Sequence, residues 1–111
     1  MAGRVRVVVV GNINIDLVLR TPRMPQEGET CLAEDLKLIP GGKGANQAVA
    51  ASRLGGDVVL IGRVGADPFG IMLLENLKRA AVGVEFVRQD AEATTGTAIV
   101  MVGPDGHNRI L

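Results

Sequence analysis

Arg4-Val5-Arg6-Val7-Val8-Val9-Val10, stopped by Gly11 and followed by Asn12-Ile13-Asn14-Ile15-Asp16, is the stretch on which the fold turns. An unbroken β-branched run ending on a glycine reads as a central strand of a parallel sheet, covered on both faces. Asn12 to Asp16 then turns the chain. Further on, Ala45, Ala48, Val49 and Ser52 fall at i, i+3, i+4 and i+7, which predicts a helix over 45–54 with a narrow small-residue face, ended by Gly55-Gly56. Asp57 to Gly62 reads as a second buried strand. Asp67-Pro68 supplies an N-cap acceptor followed by proline at the first helical position, and Phe69, Met72, Leu73, Leu77 and Ala80 give that second helix its apolar face. With Val84 to Arg88 as a third strand, the order predicts right-handed parallel βαβ units.

The remaining segments do not fit that layer. Leu17 to Leu19 and Glu29 to Ile39 alternate imperfectly, with Pro22 and Pro25 between them, and read as half-exposed strands of a small antiparallel flap. Thr97 to Val102 and His107 to Leu111 flank Gly103-Pro104-Asp105-Gly106, a hairpin by its turn chemistry. The fold class is therefore α/β: a parallel sheet with helices on both faces plus a small antiparallel β flap. Three parallel strands are few for such a layer, and the last strand stops at Leu111 without a cap. The chain is expected to be a fragment of a larger domain.

Composition narrows the partners. Of 111 residues, 47% are apolar and 22% charged, with 12 Lys+Arg against 12 Asp+Glu, which describes a globular domain without the basic footprint of a nucleic-acid binder. The longest apolar run is far short of the roughly 20 residues of a membrane span, and Met1 to Arg6 lacks the pattern of a secretory leader. No nucleic-acid or membrane partner is expected. The single cysteine, Cys31, allows no disulfide within the chain and fits a cytoplasmic setting. Only Phe69 and Phe86 are aromatic, so Val, Ile, Leu and Ala must fill the core.

Chemistry-bearing residues gather in two places. Gly11-Asn12-Ile13-Asn14-Ile15-Asp16 follows the first strand, and Gly41-Gly42-Lys43-Gly44-Ala45-Asn46 starts the first helix. In open α/β sheets ligands bind beyond the carboxyl ends of the strands, where both segments are expected. Asp16 can accept two hydroxyl hydrogen bonds, Asn14 and Asn46 each offer a donor and an acceptor, and the helix start adds N–H donors. That mixture suits a polyol. Gly42 and Gly44 would let it approach the backbone, and Lys43 adds one mobile cation. Taken singly, Asp16, Asn12 and Asn14 are turn-forming residues, the glycines a tight turn and Lys43 a solvated cation. A Walker loop fails because Lys37 stands where its first glycine should be and Gly44 follows Lys43, and a dinucleotide fingerprint fails at Gln47. Gly62 to Gly70 reads as a strand-to-helix turn. His107, with no His or Cys partner, reads as a turn residue and Cys31 as a small hydrophobe.

In this order, Gly11 to Asp16, Gly28-Glu29-Thr30, Gly41 to Ala51, Val64 to Gly70 and Thr95-Gly96-Thr97-Ala98 closely resemble the N-terminal part of the ribokinase/PfkB sugar-kinase family. The resemblance covers nearly the whole chain. It implies ATP-dependent phosphorylation of D-ribose to ribose 5-phosphate, with Mg²⁺ and in many members a monovalent cation such as K⁺. It likewise implies sugar contacts from Asn14, Asp16, Gly42, Lys43, Gly44 and Asn46, and a small antiparallel β lid, its strands at about 17–39 and 97–111, that pairs with another subunit's lid in a homodimer. The family's Gly-Ala-Gly-Asp segment, with its catalytic Asp and anion hole, and its ATP-binding half would lie beyond Leu111, so no catalytic residue is expected in this chain and the 111 residues alone should be inactive. Kinases of the same family for another sugar or a nucleoside, and a non-catalytic sugar-binding or dimerisation module, are the competing readings.

Overall fold

Strand and helix boundaries follow from glycine, proline and β-branched spacing. A computed structural model of the chain describes residues 3–111; Met1 and Ala2, which open the segment read for a leader, lie outside them. The first unit comprises residues up to Ile15 together with Pro40–Gly96. Its sheet contains β1 (Arg6–Val10), β4 (Asp57–Gly65) and β5 (Gly83–Asp90) in the order β1-β4-β5, all parallel, with Val8 opposite Val59 and Ile61 opposite Phe86. The crossovers are α1 (Lys43–Arg53) between β1 and β4 and α2 (Pro68–Arg79) between β4 and β5.

Two right-handed crossovers that step in the same direction across a sheet place both helices on one face. The burial agrees. Val58, Leu60, Val64, Leu73, Leu77, Ala45 and Ala48 form the core, with Val7, Val9 and Val84 packed against it. On the other face Val8, Val10, Ile61 and Phe86 are exposed. Among the described residues both helices thus lie on one face of the sheet. Among the described residues β1 pairs on one side, with β4, and its burial alternates, Val7 and Val9 packing against the core while Val8 and Val10 are exposed.

The second unit, Asp16–Ile39 with Thr97–Leu111, is built on β2 (Asn14–Arg20), β3 (Asp35–Gly41), β6 (Gly96–Val102) and β7 (Asn108–Ile110), in sheet order β3-β2-β6-β7. The hairpin at Gly103 forms as its sequence predicts: β6 and β7 pair antiparallel, Val100 opposite Ile110, and the Gly103 N–H donates to the His107 carbonyl at 2.9 Å. Two expectations change. The strand read from Glu29 begins only at Asp35, because Gln26 to Glu29 closes a turn in which the Glu29 N–H donates to the Gln26 carbonyl at 2.9 Å and the carboxylate grips Arg23 at 2.5 and 2.6 Å. The flap is also mixed rather than purely antiparallel. The Glu34 N–H donates to the Arg20 carbonyl, so β3 starts where β2 ends, whereas Thr21 N–H donates to the Val102 carbonyl, so β2 and β6 run the same way.

Candidate functional site

The carboxyl end of β1 and the start of α1 meet by backbone contact. A Cβ built on Gly44 would lie 2.6 Å from Gly11 Cα and 2.8 Å from Asn12 N, and one on Gly42, whose φ is +97°, would lie 2.5 Å from the Asn12 carbonyl oxygen. These glycines are needed by the protein's own packing, since no side chain fits between the two segments and the left-handed φ favours glycine. α1 has no cap from its own N-terminal residue. Asn12 supplies it from the other segment: its Oδ1 accepts from the Gly44 N–H at 3.3 Å and its carbonyl from the Ala45 N–H at 3.1 Å. The Asn12 Nδ2 donates in turn to Asn14 Oδ1 at 3.3 Å, which orients the Asn14 carboxamide. Sequence reasoning treated Asn12 as a turn former. Its capping partner is 32 residues away and leaves no local signal.

Asn14, Gly42 and Gly44 of the sequence-predicted set are therefore together, at the strand end where ligands bind in open α/β sheets. Gly44 is buried with its N–H spent on Asn12. Lys43 and Asn46 lie in the first turn of α1, both exposed. A cation there opposes the helix dipole at a cost of about 0.3–1 kcal/mol, and no acidic residue in the turn offsets it. Asn46 opens onto a groove of about 380 Å³ along α1 and α2, floored by Val49, Leu73 and Leu77. Asp16 is half-buried in β2 and belongs to the second unit.

A second network ties the carboxyl end of β4 to the segment before β6. Asp67 caps α2 as predicted, its Oδ1 accepting from the Gly70 N–H at 2.8 Å. The same carboxylate accepts from the Thr95 N–H at 2.8 Å and the Thr95 hydroxyl at 2.6 Å, and Thr95 Oγ1 accepts from the Gly65 N–H at 3.0 Å. Only the cap was visible in the sequence, because Thr95 is 28 residues distant. The Thr95 hydrogen bonds, then that from the Gly70 N–H, hold the Asp67 carboxyl below the usual carboxylate range. A depressed carboxyl contributes stability above its unfolded pKa, about 3.9, and loses it as pH falls through the folded value. Thermal unfolding followed from pH 6 to pH 2 should therefore show a midpoint falling below about pH 4, with Asp67→Asn less stable at pH 6 and visibly flatter in acid. A variant with the parent's full acid dependence would remove Asp67 as its source.

Elsewhere, His107 Nδ1 lies 2.9 Å from Asp105 Oδ2 in the exposed hairpin turn. Among the described residues no three His, Cys, Asp or Glu side chains are grouped to hold a metal ion, and no helix is long and apolar enough to cross a membrane.

The sequence pattern described as pfkB family carbohydrate kinase matches residues 4–111. The chain belongs to the pfkB carbohydrate kinase family. Among curated proteins, this pfkB chain is 49% identical over 107 residues to the ribokinase of Lactococcus lactis subsp. lactis (strain IL1403), covering 96% of this chain and 35% of that protein. It is 37% identical over 105 residues to the deoxyribokinase of Salmonella typhi, covering 95% and 34%. Among solved structures, Arabidopsis thaliana ribokinase complexed with ribose and ATP superposes with a TM-score of 0.91 at 37% identity, over 98% of this chain and 36% of that one. The pfkB chain thus spans about a third of the length of the relatives it matches, and its fold is the N-terminal portion of the ribokinase-like α/β fold.

Proposed function

We propose that this chain is the sugar-binding part of an ATP-dependent carbohydrate kinase that phosphorylates D-ribose. The observation that carries this is the Asn12-tied junction of β1 and α1, which orients the Asn14 carboxamide while Lys43 and Asn46 stand exposed in the adjoining turn. Local rules are broken at that turn, with glycine in place of a capping side chain and a cation against the dipole, and such departures concentrate at functional sites. The likeness to a ribokinase that holds ribose and ATP supports the choice of sugar and of nucleotide.

In this proposal Asn14, Lys43 and Asn46 hydrogen-bond sugar hydroxyls, Asp16 accepts two of them, and Gly42 and Gly44 shape the loop. Phosphoryl transfer needs positioning and charge stabilisation around the transferred group. The residues for that step, the catalytic Asp included, are assigned to the portion of the relatives that this chain does not span. The described residues group no three His, Cys, Asp or Glu side chains that could hold a metal ion, and Mg²⁺ and K⁺ are assigned to the portion of the relatives that this chain does not span. The second unit is assigned the role of a lid in the whole enzyme, pairing with its copy in a homodimer, and the enzyme is assigned to the cytoplasm.

Calorimetric titration with D-ribose tests the binding role: the chain should take up ribose and, incubated with ATP, should release no ADP. Asp16→Asn should weaken ribose about tenfold or more, since a charge-assisted hydrogen bond is worth about 1.5–3 kcal/mol. Undiminished binding by that variant would take Asp16 out of the site. The deoxyribokinase relative favours a second reading within the same chemistry, a deoxypentose substrate. Tighter uptake of deoxyribose than of ribose would select it.

A further inference from the structure

Glycines are retained where the backbone needs a left-handed φ or where a Cβ would collide with other atoms. Gly42 meets both conditions, and Gly11, Gly44, Gly62 and Gly65 meet the second, each with a backbone atom within 2.8 Å of the missing Cβ. Gly96 meets neither. Its φ lies outside the left-handed range, and the nearest atoms to its absent Cβ are Asn14 Oδ1 at 3.4 Å, Asn14 Cβ at 3.7 Å and the Ile13 carbonyl oxygen at 3.7 Å, which is ordinary van der Waals distance. Gly96 is moreover the first residue of β6, and glycine inside or at the edge of a strand weakens it relative to alanine. The fold would accept a side chain at this position.

The position is also held in place. Thr95, immediately before it, is 3% exposed and anchored by both its N–H and its hydroxyl to Asp67. Asn14 is fixed from the other side by Asn12. Gly96 itself is exposed. A solvent-open position is therefore kept next to the Asn14 carboxamide oxygen, one of the groups that the sugar-site reading assigns to a hydroxyl.

We propose that Gly96 is a specificity-determining residue: its missing side chain leaves beside Asn14 Oδ1 the room that a substrate hydroxyl occupies, and Asp67 and Thr95 are positioning residues that hold that wall. The proposal rests on the sugar-site reading above and deepens it. A methyl group on residue 96 fills the space without disturbing the fold, so it discriminates against a sugar carrying a hydroxyl there, whereas a sugar lacking that hydroxyl loses less. One group of this size in a pocket changes affinity by about 10–200-fold.

The 111-residue chain and its Gly96→Ala and Gly96→Val variants, labelled with ¹⁵N, test this by titration with D-ribose and each of its singly deoxygenated analogues, reading the Asn14 side-chain amide signals, alongside thermal melts. The expected result is a Gly96→Ala melting temperature at or near that of the parent, ribose binding weakened about tenfold or more, a larger loss for Gly96→Val, and one deoxygenated analogue that is spared. Equal ribose affinity in parent and Gly96→Ala overturns the assignment of Gly96 while leaving the sugar site standing. A Gly96→Ala chain that melts far below the parent shows a backbone reason for the glycine and likewise overturns it. A parent chain that binds no pentose overturns the sugar-site reading, and this inference with it.

Discussion

Gly44→Ala should damage this chain severely, lowering stability by about 3 kcal/mol. The added methyl carbon would sit 2.6 Å from Gly11 Cα, 2.7 Å from Gly11 C and 2.8 Å from Asn12 N, all backbone atoms with no rotamer to retreat into. Relief requires moving α1 away from the end of β1. That movement stretches the bonds from Gly44 N–H to Asn12 Oδ1 and from Ala45 N–H to the Asn12 carbonyl, which leave the helix start uncapped when broken. For a domain of this length each kcal/mol shifts the melting temperature by about 4–8 °C, so a fall on the order of 12 °C or more is expected in a circular-dichroism melt. Gly96→Ala is the internal control, adding the same methyl group where the nearest atom is 3.4 Å away. If the two variants melt together, the close crossing of Gly11 and Gly44 is not what the glycine serves. Ribose binding should fail in Gly44→Ala as well, because the same displacement removes the partner that orients Asn14 through Asn12.

Leu60→Ala should cost as much by a different route, emptying volume instead of overfilling it. Leu60 is fully buried on β4, the middle strand of the parallel sheet, and belongs to the core with Leu73, Leu77 and Ala48. Truncating a buried leucine costs about 2–5 kcal/mol, the lost transfer free energy plus the cavity that the surroundings cannot close. Against a total stability of about 5–15 kcal/mol, the variant should be partly unfolded at temperatures the parent withstands. Urea titration of Leu60→Ala beside Leu54→Ala checks this, Leu54 being 89% exposed just past α1. Leu54→Ala should stay within about 0.5 kcal/mol of the parent. Similar losses in both variants would contradict the core as described.

Elements whose rules are short-range are legible in the amino-acid sequence. Asp67-Pro68 starts α2 at Pro68, because a cap and a proline act on the residues beside them. Gly103-Pro104-Asp105-Gly106 makes the hairpin for the same reason. β3 begins six residues later than its sequence pattern suggests, since the alternation from Glu29 is weak and the Arg23–Glu29 pair that forms the preceding turn is a side-chain contact with no periodic signature. The candidate site divides in the same way: Asn14, Gly42 and Gly44 stand out as residue types at a strand end and a helix start, whereas Asn12 as the cap of α1 and Thr95 as the partner of Asp67 do not.

The amino-acid sequence by itself determined the α/β class, the alternation of strand and helix, the caps and the turns, because each depends on residues within a few positions of one another. Tertiary structure decided that β4 lies between β1 and β5, that α1 and α2 share one face, that Gly44 is glycine to pass Gly11, and that Gly96 is free of any such need. These depend on which backbones pass close to each other across tens of residues of chain, and hydropathy and spacing carry no record of that distance.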